Sequence, residues 1–137
     1  MTMSAYRNLI DIVSKGSESF INIFFKCMDN NRDVLYQFYR PFSTIVWNGN
    51  AFVGLSYAEF VKSLPNSHHE VQSLDCHPII SSMNQDGTCA IILVVSGSVR
   101  YGNESQLRGF SETFVLKSDL ERPGTYYIAS NCFRQVV

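Results

Sequence analysis

Cys89-Ala90-Ile91-Ile92-Leu93-Val94-Val95-Ser96-Gly97-Ser98-Val99-Arg100 reads as one β-strand. Its first seven residues are apolar without interruption and rich in Val and Ile, which suits a pleated surface buried on both faces. Both faces then need a cover. Strand signals recur at Glu70 to Ile80, Arg108 to Lys117 and Thr125 to Arg134, separated by Asp86-Gly87, Gly102-Asn103 and Pro123-Gly124. That order predicts an antiparallel meander. Such sheets usually keep one face wet, so a centre that is apolar on both sides is a departure to be explained. Helices from the first half of the chain can cover one face, and a second protein is inferred to cover the other.

Upstream, Tyr6, Leu9, Ile10, Val13, Phe20, Ile21, Phe24, Phe25 and Met28 recur in three- and four-residue steps, predicting one long amphipathic helix with a soft centre at Gly16-Ser17. Asn30 and Asn31 stop it. Val34, Leu35, Phe38 and Tyr39 keep helical spacing until Pro41, predicting a short second helix. Ser56-Tyr57-Ala58-Glu59 has the form of a capping box opening a third, with Phe60, Val61 and Leu64 on its apolar side and Pro65 beyond. Between these, Ser43 to Trp47 and Ala51 to Gly54 flank Asn48-Gly49-Asn50, a strong hairpin signal. Helices first and a long sheet afterwards predict an α+β domain in which a strongly curved antiparallel sheet wraps three N-terminal helices. One domain over 1–137 is expected.

With 137 residues, 45% hydrophobic, 17% charged and net charge -1, the chain has the composition of a globular protein and no basic footprint for nucleic acid. No apolar run has the length of a membrane span, and Met1 to Ala5 lacks the charged and apolar halves of a leader. A cytosolic or nuclear protein is expected. Cys27, Cys76, Cys89 and Cys132 are widely spaced in apolar surroundings, the pattern of buried free thiols and not of a disulfide framework or zinc knuckle.

Several strings taken in order are more specific than any one motif. Val46-Trp47-Asn48-Gly49-Asn50, Leu64-Pro65-Asn66-Ser67, Leu74-Asp75-Cys76-His77-Pro78, Gly97-Ser98-Val99-Arg100 and Ile128-Ala129-Ser130-Asn131-Cys132-Phe133-Arg134 resemble the nuclear transport factor 2-like family. Within it they are most similar to the small subunit of the metazoan messenger-RNA export receptor. The resemblance implies a cone of three helices on a bent sheet, with no catalysis and no cofactor. It also implies a heterodimer, sheet face to sheet face, with the similar domain of the large export receptor, which carries the RNA-binding regions. The pair would contact phenylalanine-glycine repeats of nuclear pore proteins, mainly through the large subunit, and shuttle between nucleus and cytoplasm.

For the interface, alternation counted from Tyr126 predicts Ile128, Ser130, Cys132 and Arg134 on one face. In the resembling family the arginine of the Cys-Phe-Arg string pairs with an aspartate of the large subunit, which implies that role for Arg134; the bland alternative is a solvated arginine at a strand end. Asp75 is assigned to the same partner-facing surface. Two rival classes stand beside this reading. Enzymes built on the cone place an Asp or His base and a Tyr donor inside it, and Asp75 with His77, plus Tyr39 or Tyr36, has that composition, although alternation puts any such pair on one face. The other rival is a homodimeric carrier of the GTPase Ran in its GDP form. That carrier has an acidic turn where this chain has Tyr101-Gly102-Asn103-Glu104-Ser105, with one carboxylate. His68, His69 and His77 are read as solvated loop-edge residues rather than metal ligands, Trp47 as core, and Glu104 and Asp86 as turn residues.

Overall fold

Thr2 Oγ1 accepts the Ala5 N–H at 3.0 Å, and from that cap α1 runs unbroken over Met3–Asn30. The structure is a computed structural model and describes residues 1–136. Along α1 the buried positions are Val13, Ser17, Ile21, Phe24, Phe25 and Met28, the stripe that the periodicity predicts. Gly16 does not break the helix, because the stripe on either side of it packs on the same sheet.

The second and third helices differ from expectation. Arg32–Phe38 is a 3₁₀ helix, and Tyr39 already belongs to β1 (Tyr39–Trp47), paired with Ile128 across the sheet. Tertiary pairing thus overrides the helical spacing that ran on to Pro41. At α2 (Ser56–Lys62) no side chain caps the first turn. The Ser56 hydroxyl donates instead to the Val53 carbonyl at 2.7 Å, so the capping box is absent. Arg32 does the joining here. Its guanidinium donates to the carbonyls of Met28, Val61, Leu64 and Pro65 and to Ser67 Oγ at 2.6–3.1 Å, tying the end of α1 to the end of α2.

The strands are β1, β2 (Asn50–Val53), β3 (Ser67–Ile79), β4 (Ala90–Tyr101), β5 (Arg108–Ser118) and β6 (Tyr126–Val136), in the sheet order β2-β1-β6-β5-β4-β3. The β1–β2 hairpin turns through Asn48 and Gly49, both at positive φ, as Asn-Gly predicts. β3 to β6 form the antiparallel meander. β1, however, lies parallel to β6, so the sheet is mixed. No local signal encodes that pairing, since it joins strands about 80 residues apart in sequence.

Curvature comes from bulges and glycines. The register of β3 against β4 slips between Val71 and Ser73, directly opposite Gly97. A Cβ on Gly97 would collide with the Glu70 carbonyl oxygen, and one on neighbouring Gly109 would lie 2.6 Å from the Val136 carbonyl oxygen. Only glycine permits that approach of main chain to main chain. Into the resulting hollow α1 inserts Phe24, whose ring centroid is 5.1 Å from Phe114 and 5.5 Å from Phe38. Gly97→Ala is expected to destabilise the chain by about 1–3 kcal/mol, the usual range for overpacking, because neither backbone can yield without unpairing the bulge. A urea midpoint unchanged by this substitution would show that the bend does not need the glycine.

The outer face of the sheet as candidate protein-binding site

Register and burial define the two faces of the sheet. Ile91, Leu93, Val95 and Val99 of β4 are buried against the helices, while Ile92 is half-buried and Val94 remains 44% exposed. The outer face is laid out in rows. One row runs Asp75, Val94, Thr113, Cys132, Val46, and a second runs Ile92, Val115, Ser130, Thr44. A third runs Ser73, Ser96, Ser111, Arg134, with the Ser73 and Ser96 hydroxyls hydrogen-bonded to each other. Apart from Ile92 and Arg134 these side chains are small, and three of the five in the row of Val94 are apolar, so the surface is flat. Its charges sit apart, Asp75 on β3 and Arg134 on β6. Both are exposed, and the Arg134 side chain has no hydrogen bond or ion pair among the described residues. Thr44, Val46, Val94, Thr113 and Val115 were not singled out from the sequence. Each is one residue from a buried neighbour on its own strand, and that alternation is the signal that marks them.

Ile128 is the exception among the expected interface residues. It is fully buried in the core, not on the face of Ser130, Cys132 and Arg134. Leu116 pairs with Ile128 but Val115 pairs with Ser130, leaving Ala129 as an extra residue in β6. Such a bulge shifts the alternation by one and reverses every side chain before it. Cys132 is likewise exposed and Cys27 and Cys76 are half-buried, so of the four cysteines only Cys89 is a buried thiol.

Around Trp47 the side chains close the cone, whereas a second cavity of ≈ 350 Å³ lies between α1 and the inner face of the sheet, lined by Val13, Ser17, Phe20, Ile91 and Leu116. Trp47 is half-buried, stacked on Phe133 with ring centroids 6.0 Å apart, and a cavity of only ≈ 10 Å³ remains among Trp47, Tyr57, His69 and Glu112. That is room for about one water, far below the several hundred Å³ of usual ligand pockets. Two polar clusters lie in these walls. Glu112 is 2% exposed and accepts from Asn131 Nδ2 at 2.8 Å, while Asn131 Oδ1 accepts from the Tyr39 hydroxyl at 3.0 Å. Burial pushes the Glu112 carboxyl up to about 8, although the Asn131 bond works the other way. Phe110 and Phe114 flank Glu112 in steps of two, which already assigns it to the inner face. Asp29 receives the His69 ring at 2.6 Å, the His69 N–H and the Ser67 hydroxyl. Burial opposes its charge, but those bonds prevail and hold its carboxyl below the usual range. His69 is therefore enclosed, with its side chain 4% exposed, and not a solvated loop residue.

The acid, base and donor considered for catalysis are not brought together. Asp75 is exposed on β3, the His77 ring bonds the Tyr6 hydroxyl at 2.9 Å, and Tyr39 lies in β1, four places along the sheet from β3. Tyr36 is exposed on the 3₁₀ helix. His68 lies 3.7 Å from Glu70 on the surface.

A long helix in the hollow of a bent six-stranded sheet defines the cone-shaped class of α+β proteins. The family described as nuclear transport factor 2 (NTF2) domain matches residues 16–135, and the chain belongs to that family. It is 34% identical over 131 residues to "NTF2-related export protein 2" of Bos taurus, covering 94% of this chain and 91% of the relative. Among solved structures it is similar to nuclear transport factor 2 from Cryptosporidium parvum, with TM-score 0.73, 24% identity and coverage of 92% and 94%. It also matches a chain of the C. albicans Mtr2-Mex67 M domain complex, with TM-score 0.65, 18% identity and coverage of 86% and 92%.

Glu112 gives a pH signature. An unfolded chain releases this proton near 4.5 and the folded one near 8. Across that window the folded state binds more protons, so stability is fully present below 4.5 and falls as pH rises towards 8. At neutral pH the cost is on the order of 3 kcal/mol. Glu112→Gln should therefore flatten the pH dependence of the urea midpoint between pH 5 and pH 8, since an amide keeps the acceptor for Asn131 without the charge. Equal slopes in the two proteins would contradict a buried neutral Glu112.

Proposed function

We propose that this chain is a non-enzymatic export cofactor, the small subunit of a messenger-RNA export receptor. It pairs the outer face of its sheet with the similar domain of a large subunit. The observation that carries the reading is an open sheet face on a cone that brings no acid, base and donor together: Val94, Val46, Cys132 and Arg134 stand exposed on the outside, while only ≈ 10 Å³ remains beside Trp47, Tyr57 and Glu112. Val94, Cys132 and Val46, exposed in one row, are apolar surface of the kind that a partner covers. The curated relative's name, export protein, and the two-chain complex in which the C. albicans fold neighbour was solved support the assignment.

The chemistry of the face says what the partner must present. Small, flat rows call for another flat sheet, which favours a partner of the same fold. Asp75 calls for a cation and Arg134 for a carboxylate, and an arginine fork suits two-point pairing with an aspartate. In this assignment the heterodimer, chiefly through its large subunit, engages phenylalanine-glycine repeats of the nuclear pore and shuttles between nucleus and cytoplasm. This chain itself contacts no nucleic acid or membrane. The Ran carrier reading lacks its anchor, because Glu104, the one carboxylate of the turn after β4, is held by Arg108 at 3.3 Å.

Arg134→Ala should leave the fold intact and weaken binding to the large subunit by roughly 2–5 kcal/mol, because a carboxylate enclosed on the partner loses its counter-charge. Arg134→Lys should recover only part of this. A titration at moderate salt in which the Ala variant binds like the wild type would return Arg134 to bulk solvent and sink the proposed face. Separately, Asp75→Asn should abolish no turnover, since none is expected of the parent; a small-molecule reaction lost in that variant would reverse the non-enzymatic assignment.

A further inference from the structure

Side chains alternate along a β-strand, so a cavity touching one face of a strand is lined in steps of two. Between α1 and β3 lies a groove of ≈ 500 Å³ lined by every residue from Val71 to Cys76. An unbroken run of that kind is the mark of a strand's edge. β3 is the last strand of the sheet and pairs only with β4, so on its other side alternate N–H and C=O groups point away from the ladder.

Two side-chain bridges hold the helix beside this edge. At one end Asp29 binds the His69 ring and N–H, and at the other the Tyr6 hydroxyl meets the His77 ring. Between them the one hydrogen bond across the groove joins Cys76 Sγ to Ser14 Oγ at 3.8 Å, and no α1 side chain satisfies the main chain of Val71 to Cys76. The opposite edge of the sheet, β2, is only four residues long. From Val71 to Cys76 the edge is thus neither paired nor capped among the described residues, while a helix stands off from it as a second wall. Ile21, buried, and Leu74, half-buried, give the groove an apolar floor. Its charged lining residues are Glu18 and Asp75, both acidic.

We propose that this groove receives an extended, basic peptide segment of a partner protein as an added strand on β3. Main-chain bonds to the free edge would hold the segment, an apolar side chain would rest on Ile21 and Leu74, and Lys or Arg side chains would meet Glu18 and Asp75. The site goes beyond the export reading and does not depend on it. Asp75 lies where the groove meets the outer face, whereas Glu18 belongs to the groove alone.

Selection of a random seven-residue peptide library on the full chain tests the proposal, followed by titration of the enriched synthetic peptides into ¹⁵N-labelled protein. The expected result is enrichment of Lys- and Arg-bearing sequences whose binding shifts the amides of Val71 to Cys76. Affinity should fall at least tenfold with Glu18→Lys, or when alternate peptide nitrogens are methylated, and stay unchanged with Arg134→Ala. No enrichment, or binding indifferent to both Glu18→Lys and backbone methylation, would overturn it. Sensitivity to Arg134→Ala would also overturn it, by moving the peptide to the outer face. Circular dichroism of Glu18→Lys, an exposed position, checks that its fold is kept.

Discussion

Where β3 bulges over Gly97, the main chains of two strands come close enough that no side chain fits between them, and the sheet turns there. That bend makes one face concave and deep enough for a 28-residue helix. The hollow is then filled by aromatic rings, with Phe24 at the centre and Phe20, Phe25, Phe38 and Phe114 around it. Stacked and edge-to-face contacts of this kind add about 0.5–1.5 kcal/mol per pair beyond the area they bury. A flatter sheet would leave the helix on the surface and the interior open. In this chain the rings close the end of the cone around Trp47, and the outer face is left as a broad exposed surface.

The two faces also differ in how they treat polarity. Inside, Glu112, Asn131 and Tyr39 are hydrogen-bonded to one another, and Glu112 avoids the larger cost of a buried charge by staying protonated at neutral pH. Outside, Asp75 and Arg134 carry full charges separated by rows of Ser, Thr, Val and Cys. A flat, weakly polar surface with a charge of each sign on different strands specifies orientation more than it supplies affinity. Most of the binding energy in a sheet-to-sheet contact would come from the exposed apolar positions such as Val94 and Val46.

Much of this was legible in the sequence because it is local or periodic. The stripe on α1, the Asn48-Gly49 turn and the four strands of the meander follow from spacing and turn chemistry. The two-sided apolar strand at Cys89 to Val95 pointed to an uncovered face before any topology was known. What escaped depends on partners distant in sequence. Nothing around Tyr39 announces that it pairs with Ile128, and nothing at Ala129 announces the bulge that sends Ile128 inward while Ser130, Cys132 and Arg134 stay out. Arg32 shows no motif; its role exists only once α1, α2 and β3 converge on it. Glu112 was within reach of pattern alone, since it falls between Phe110 and Phe114 on the inward parity.

Cys132 offers the most direct measurement of the central claim, because it sits in the middle row of the outer face, is exposed in the isolated chain and is a free thiol. Its rate of alkylation can be followed by mass spectrometry on the isolated chain and on the complex purified from the protein's own cells. A face covered by a partner of the same fold predicts rapid modification of the isolated chain, strong protection in the complex, and one subunit of a large protein with a similar domain per copy of this chain. Cys132 reacting at the same rate in both samples would contradict the account.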